Sequence, residues 1–163
     1  ANAAVYERAR TTETDMGTTV VAALVIGNEA TIAHVGDSRA YRVHAGGIEP
    51  LTVDHSLVES MVASNQITRE EARGHPQANV IYRTIGDKRQ VVVDLDRVTL
   101  GPDESLLLCS DGLNGMMRDE AIQALIAPAS SPQAACDALV SAANAAGGED
   151  NISVILVRLE EMV

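Results

Sequence analysis

The sequence predicts an α+β domain, in which strands and helices occupy separate blocks of the chain. Its 163 residues correspond to about one domain of ordinary size. Short apolar runs bounded by glycine-containing turns fill residues 18–44, and two amphipathic helical patterns follow one another between residues 119 and 147. Apolar residues make up 46% and charged residues 21%, a balance typical of globular proteins. Strands and helices do not alternate strictly, so an all-parallel sheet is not expected.

The N-terminal part of the chain predicts one helix and three strands. Residues 1–10 are rich in alanine and resemble the tail of a helix. Apolar runs at residues 18–26, 29–35 and 39–44 are separated by short turns, and we expect them to form a β-meander. The first run is apolar on both faces, which predicts a central strand in a sheet that is covered on both sides.

The remaining helices and strands are predicted from changes in the spacing of apolar residues along the chain. Apolar residues between 57 and 62 have helical spacing, and Thr68 with Glu71 forms the capping-box signature of a second short helix. Strands are expected at residues 91–100 and 104–109, two helices after them, and a closing strand at 152–159. The helices begin near Asp119 and after Ser131-Pro132.

Charge and hydropathy narrow the class of partner. Twelve Lys and Arg against 23 Asp and Glu give a net charge of −11, which repels nucleic-acid phosphates and anionic lipid headgroups. No apolar run approaches the ~20 residues that a membrane crossing needs, and the first ten residues lack the order of a signal peptide. Cys109 and Cys136 fall in apolar patterns typical of buried small hydrophobes, and a disulfide is not indicated. We therefore expect a cytoplasmic protein that binds neither nucleic acid nor membrane.

Three aspartates lie beside small residues where predicted strands meet loops. They are Asp37 in Gly36-Asp37-Ser38, Asp111 in Ser110-Asp111-Gly112, and Asp150 in Glu149-Asp150-Asn151. Carboxylates held at one edge of a rigid sheet form an oxygen-rich site suited to Mg²⁺ or Mn²⁺. The alternative for each aspartate taken singly is a turn residue.

Other polar residues predict less. The four histidines lack zinc-site spacing, and His34 alternates with apolar neighbours as a buried strand residue does. Asp54-His55 fits either a loop-orienting pair or an Asx-type turn. Asp94, Asp96 and Asp103 are expected to face solvent or to lie in turns.

Five short segments occur in an order that characterises one family. They are Met16-Gly17-Thr18-Thr19, Gly36-Asp37-Ser38-Arg39 within residues 34–41, Leu51-Thr52 with Asp54-His55, Ser110-Asp111-Gly112 within residues 106–113, and Gly148-Glu149-Asp150-Asn151 within residues 148–154. This series resembles the metal-dependent serine/threonine protein phosphatases of type 2C, most closely the bacterial members, over essentially the whole chain. Each segment is weak alone, but the series is highly specific.

The resemblance implies a fold and a metal centre. The fold is an antiparallel β-sandwich flanked by helices in α-β-β-α layers, with two Mn²⁺ or Mg²⁺ ions at one end. Asp111 would bind one or both ions, Asp150 would complete the second, and Asp37 resembles an outer-sphere or third-metal carboxylate. A metal-activated water attacks phosphorus in line, so no catalytic side chain is implied beyond the metal ligands. Neither cysteine has an arginine six positions later, and thiol-based phosphatase chemistry is not expected.

Residues 52–89 resemble the flap of the family, a helical insert beside the metal site that influences substrate choice. We call this segment the flap. Arg69, Arg73 and Arg83 are its candidate phosphopeptide contacts, although solvated helix charges explain the first two better.

The sequence departs from the family at its beginning. The opening strands, an Asp-Gly-x-Gly-Gly segment with the metal-bridging aspartate, and a following histidine have no counterpart in residues 1–163. We expect a partial, N-terminally truncated catalytic domain over 1–163, with exposed apolar sheet edges. The alternative is a homo-oligomer that covers the exposed sheet.

Two functions follow from the resemblance. The first is hydrolysis of phosphoserine and phosphothreonine in proteins, opposing a cognate serine/threonine kinase, with the isolated chain weak or inactive. The second is a catalytically inactive phosphatase-like module that binds a phosphoprotein or another partner. A Ca²⁺-binding module is less well supported, because no twelve-residue loop of alternating oxygen ligands is present.

Overall fold

The structure is a computed structural model, and it describes residues 1–159. The strands are β1 (Val20–Ile26), β2 (Glu29–Val35), β3 (Arg39–His44), β4 (Gly47–Pro50), β5 (Asp94–Thr99), β6 (Ser105–Cys109) and β7 (Val154–Arg158). The helices are α1 (Asn2–Thr12), α2 (Leu57–Ala63), α3 (Arg69–Arg73), α4 (Asp111–Asn114), α5 (Asp119–Ile126) and α6 (Pro132–Ala145). Two antiparallel sheets, ordered β1-β2-β5 and β4-β3-β6-β7, form a sandwich with flanking helices. The predicted α+β class and two-sheet sandwich are confirmed.

The core has one layer between the sheets and another beneath the helices. Strand β6 contributes to both layers, because all five of its residues are buried and successive side chains point to opposite faces. Leu106 and Leu108 pack with Ile32 of β2 between the sheets. On the other face, Leu107 packs against the helices through residues such as Ile122. Each such side chain stabilises the fold by about 1.5–3 kcal/mol through burial.

The predicted β-meander is wrong, because the third strand belongs to the other sheet. β1 pairs with β2, and β2 pairs with β5, whereas β3 pairs with β4 and β6. The chain changes sheets at Gly36, whose φ of 116° is strained for residues with a side chain, and a Cβ there would lie 2.3 Å from Thr19 Cγ2. The sheet order β1-β2-β5 also places β1 at the edge of its sheet rather than at the centre.

The three-stranded sheet leaves apolar side chains exposed on its outer face. Leu24 is 63% exposed, Ile26 70% and Leu95 70%. In the strand register these residues alternate with those that face the core. The burial on both faces that the sequence predicts for β1 is absent among the described residues.

The other predicted elements are confirmed within a few residues, and two short ones were missed. The flap contains α2 and α3, and Thr68 and Glu71 form the capping box that the sequence predicts. The short elements β4 and α4 were not predicted, since four-residue elements carry too little pattern. Both cysteines are free, as expected. Among residues 1–159, the helices are all too short or too polar to cross a membrane.

Candidate metal centre

The strand register brings the three predicted aspartates to one end of the sandwich. In the four-stranded sheet Arg39 pairs with Cys109, and Cys109 pairs with Val154. Asp37 lies just before Arg39, and Asp111 lies just after Cys109. Asp150 lies before Val154. Since antiparallel neighbours alternate in direction, residues just before β3 and β7 and just after β6 emerge at the same edge.

Close packing joins the loop of Asp111 to the loop of Asp150. Asp111 is the first residue of α4, whose N-cap is Ser110. The Ser110 hydroxyl donates to the Asn151 carbonyl at 3.1 Å and accepts from the Ser153 amide at 3.0 Å. A Cβ on Gly112 would lie 2.4 Å from the Asn151 oxygen, so only glycine permits this approach.

The charges of the neighbouring aspartates contribute to raised pKa values at Asp37 and Asp111. Asp37 is 8% exposed, and burial, with the charge of Asp111 next, raises its pKa to about 6. Burial also raises the pKa of Asp111, and the charge of Asp150 adds to this effect. Asp37, Asp111 and Asp150 therefore share one electrostatic neighbourhood, in which a bound cation would relieve repulsion. Such an all-oxygen donor set fits Mg²⁺ or Mn²⁺.

A tighter group of ligand-type atoms lies elsewhere. Among residues 1–159, only His34, His55 and Asp94 bring three such atoms within 4.8 Å of one another. His34 is 2% exposed, as expected for a core histidine, and its Nε2 atom has no hydrogen-bond partner among the described residues. Burial lowers the pKa of His34, so this ring stays neutral.

Asp94 and Asp54 have specific partners that the sequence did not indicate. His55 Nε2 lies 3.0 Å from Asp94 Oδ2, and Arg83 also donates to Asp94. Asp54 binds Arg39 through two bonds of 2.8 and 2.7 Å. Asp94 is exposed, with 52% of its side-chain surface accessible, as expected for a solvent-facing residue, but it also binds these two partners. The Asx-turn interpretation of Asp54 is replaced by an ion pair. Strand register decides the position of Asp94, and no local motif reports it.

The flap arginines are engaged within the protein. Arg69 forms a two-bond ion pair with Glu59, and Arg83 binds Asp94. Arg73 donates to the carbonyls of Asn114 and Met117 at 3.3 and 3.2 Å, which links α3 to the end of α4 and to the segment after it. These partners favour structural roles over phosphopeptide contacts.

The Cys109 side chain is unsuited to nucleophilic catalysis. It lies in the buried strand β6, and burial raises the pKa of its thiol to about 12. A thiol with this pKa is not ionised near neutral pH. Cys109 is therefore a buried apolar residue of β6 rather than a candidate nucleophile.

Comparison with known proteins gives one family. The family profile described as Protein phosphatase 2C matches residues 1–149. Serine/threonine phosphatase stp of Listeria welshimeri is 39% identical over 142 residues, which are 87% of this chain and 56% of that protein. The chain therefore spans just over half the length of this curated relative.

Solved structures give the same result. The crystal structure of serine/threonine phosphatase Stp1 from Staphylococcus aureus has a TM-score of 0.94 and 39% identity, covering 98% of this chain and 63% of that one. The catalytic domain of the phosphatase PstP, in complex with 2 manganese ions, has a TM-score of 0.85 and 30% identity, covering 95% and 65%. With the sequence motifs, the sandwich and the profile match in agreement, the chain belongs to the protein phosphatase 2C family.

Proposed function

We propose that this chain is the part of a metal-dependent protein serine/threonine phosphatase that carries Asp37, Asp111 and Asp150. The observation that carries the proposal is the convergence of these carboxylates at one end of the sandwich. Asp111 raises the pKa of Asp37, and Asp150 raises that of Asp111. A bound cation would offset this repulsion, and perturbed carboxylates are typical of functional sites.

The proposed cations are two Mn²⁺ or Mg²⁺ ions held by Asp111 and Asp150, with a third at Asp37. When bound, they would lower the pKa of a water and neutralise the phosphoryl oxygens. Oxygen donors without cysteine or histidine favour these hard cations over zinc. The manganese complex of PstP supports this choice for the family.

Contacts within this chain hold the proposed metal ligands in place. Ser110 and Gly112 fix the loops of Asp111 and Asp150 against each other, which holds the two carboxylates at a set separation. The nucleophile in this proposal is a metal-activated water, and the buried, un-ionised thiol of Cys109 offers no competing thiolate. The water oxygen forms a bond to phosphorus, the bond to the serine or threonine oxygen breaks, and a proton passes to that oxygen. We assign no catalytic side chain beyond the metal ligands.

The proposed substrates are proteins phosphorylated on serine or threonine, and the opposing enzyme is a serine/threonine kinase. The two free cysteines fit a reducing compartment, which supports the cytoplasm as the location. The exposed face with Leu24, Ile26 and Leu95 fits an apolar contact. A further part of the phosphatase is the cover that we propose for it, and a homo-oligomer is the alternative.

Release of phosphate from a phosphothreonine peptide tests the proposed function. We expect Mn²⁺-dependent release that EDTA and Asp111→Asn both abolish, while the exposed Asp137→Asn control retains it. Turnover should be slow, because residues 1–163 contain no Asp-Gly-x-Gly-Gly segment. Activity that persists in EDTA or in Asp111→Asn would contradict the proposed centre.

The alternative, a non-catalytic module, has its own signature in the same experiment. A folded chain that binds the phosphopeptide with or without Mn²⁺, and releases no phosphate, would support a binding function. Fluorescence anisotropy of a labelled phosphopeptide against its unphosphorylated form separates the two functions.

A further inference from the structure

His55 contacts the residue before Asp37 through two polar groups. Its side chain is buried, and its Nδ1 accepts a hydrogen bond from the Gly36 amide at 2.9 Å. Its own backbone amide donates to the Gly36 carbonyl at 2.8 Å. Both backbone polar groups of Gly36 are therefore satisfied by one residue of the flap.

These bonds fix the tautomer of His55. A backbone N–H is always a donor, so the Nδ1 atom that accepts from it carries no proton. A neutral His55 then keeps its proton on Nε2, which donates to Asp94 at 3.0 Å. The same proton argues against a cation between His34, His55 and Asp94, since binding through Nε2 would require its removal.

The neighbouring residue holds the other end of the same turn. Asp54 forms its two-bond ion pair with Arg39, two residues after Asp37. Asp37 thus lies between two anchors, Gly36 on His55 and Arg39 on Asp54. Gly36 can form this turn because glycine tolerates its φ of 116°, which lies outside the ordinary strand region.

We propose that His55 is a positioning residue, which orients the Asp37 carboxylate for a divalent cation through Nδ1 and is itself oriented by Asp94. This inference rests on the proposed function. It extends that function from the aspartates to a His55–Asp94 pair that touches neither metal nor substrate. Residues that orient metal ligands typically change metal affinity by about 10- to 100-fold when replaced.

Two matched substitutions test the two hydrogen bonds of the His55 ring separately. In asparagine the amide oxygen is attached to Cγ, as Nδ1 is in histidine, so His55→Asn keeps an acceptor for Gly36 and loses the donor to Asp94. In glutamine the amide nitrogen lies two bonds from Cγ, as Nε2 does, so His55→Gln keeps the donor and loses the acceptor. Each variant removes one hydrogen bond, and we expect similar losses of folding stability.

Calorimetric titration of the full chain with Mn²⁺ tests the inference. We expect His55→Gln to weaken Mn²⁺ binding about tenfold or more at the site that Asp37→Asn removes. His55→Asn should weaken it by less than about threefold, although the two variants unfold at similar urea concentrations. Equal Mn²⁺ affinities in the two His55 variants, or the reverse order, would overturn the positioning role.

The titration also separates this inference from the proposed function. If Asp111→Asn and Asp37→Asn both weaken Mn²⁺ binding while the His55 variants do not differ, the metal centre stands and the inference is wrong. If neither aspartate variant changes Mn²⁺ binding, the metal centre is wrong and the inference with it.

Discussion

Asp37 is the residue at which folding and the proposed chemistry oppose each other most directly. It is nearly buried, its carboxylate faces the charge of Asp111, and its pKa is raised to about 6. A raised carboxyl pKa means that the folded chain favours the protonated form. In the chain without metal, the ionised carboxylate is therefore a destabilising group that the proposed cation would neutralise.

Replacing Asp37 by asparagine should stabilise the metal-free chain. The folded pKa of about 6 exceeds the ordinary value of 3.8, so the contribution of Asp37 to stability is complete below about pH 4 and is lost as the pH rises through 6. We expect Asp37→Asn to raise the free energy of unfolding by about 3 kcal/mol at pH 8, with little gain at pH 4. Urea unfolding in EDTA at both pH values measures this difference.

The control for this measurement is Asp137→Asn, which removes an exposed carboxylate from α6. It should change stability by less than about 0.5 kcal/mol at either pH. An Asp37→Asn variant that is no more stable than the parent at pH 8 would show that the ionised Asp37 carboxylate does not destabilise the fold.

At the scale of elements, the contact between α4 and the loop before β7 sets the position of Asp111 against Asp150. The Ser110 hydroxyl bonds to the backbone of Asn151 and Ser153 and so holds this loop against the helix. The close approach is possible because residue 112 is a glycine. The nearest atoms to a Cβ at Gly112 belong to the backbone of Asn151, which cannot move aside as a flexible side chain could. The geometry of the candidate centre thus depends on a position that bears no side chain.

Gly112→Ala should separate the two loops. The added methyl would lie 2.4 Å from the Asn151 oxygen, and we expect a loss of about 1–3 kcal/mol in unfolding free energy with weaker Mn²⁺ binding. Gly74→Ala is the matched control, since nothing lies within 4 Å of its Cβ position. Unchanged Mn²⁺ affinity in a folded Gly112→Ala variant would show that the α4 contact does not position the centre.

Element identity could be predicted from local pattern, whereas pairing could not. The capping box of Thr68 and Glu71 is a local signal, and it gave the second flap helix correctly. The change of sheet at Gly36 depends on long-range contact with Thr19, which no local period reports. For the same reason the sequence gives no sign of the pair between His55 and Asp94, which are 39 positions apart. Strand register places Asp94 beside His34, and the His55 ring packs against that of His34.

At the scale of the whole molecule, the two faces of the sandwich differ in cover. Helices pack on the four-stranded sheet, and the other sheet exposes Leu24, Ile26 and Leu95. The carboxylates lie at the sandwich edge, where loops from β2, β6 and β7 meet. Family membership predicted this arrangement of the aspartates better than composition did, because each aspartate alone resembles a turn residue.

The central claim is that Asp111 and Asp150 bind divalent cations at this edge. Crystals of the chain grown with Mn²⁺, with anomalous differences recorded at the manganese absorption edge, test it most directly. We expect anomalous peaks within coordination distance of the Asp111 and Asp150 carboxylates, and we expect these peaks to be absent from crystals of Asp111→Asn. Manganese bound elsewhere, with these two carboxylates free of it in a folded chain, would contradict the account.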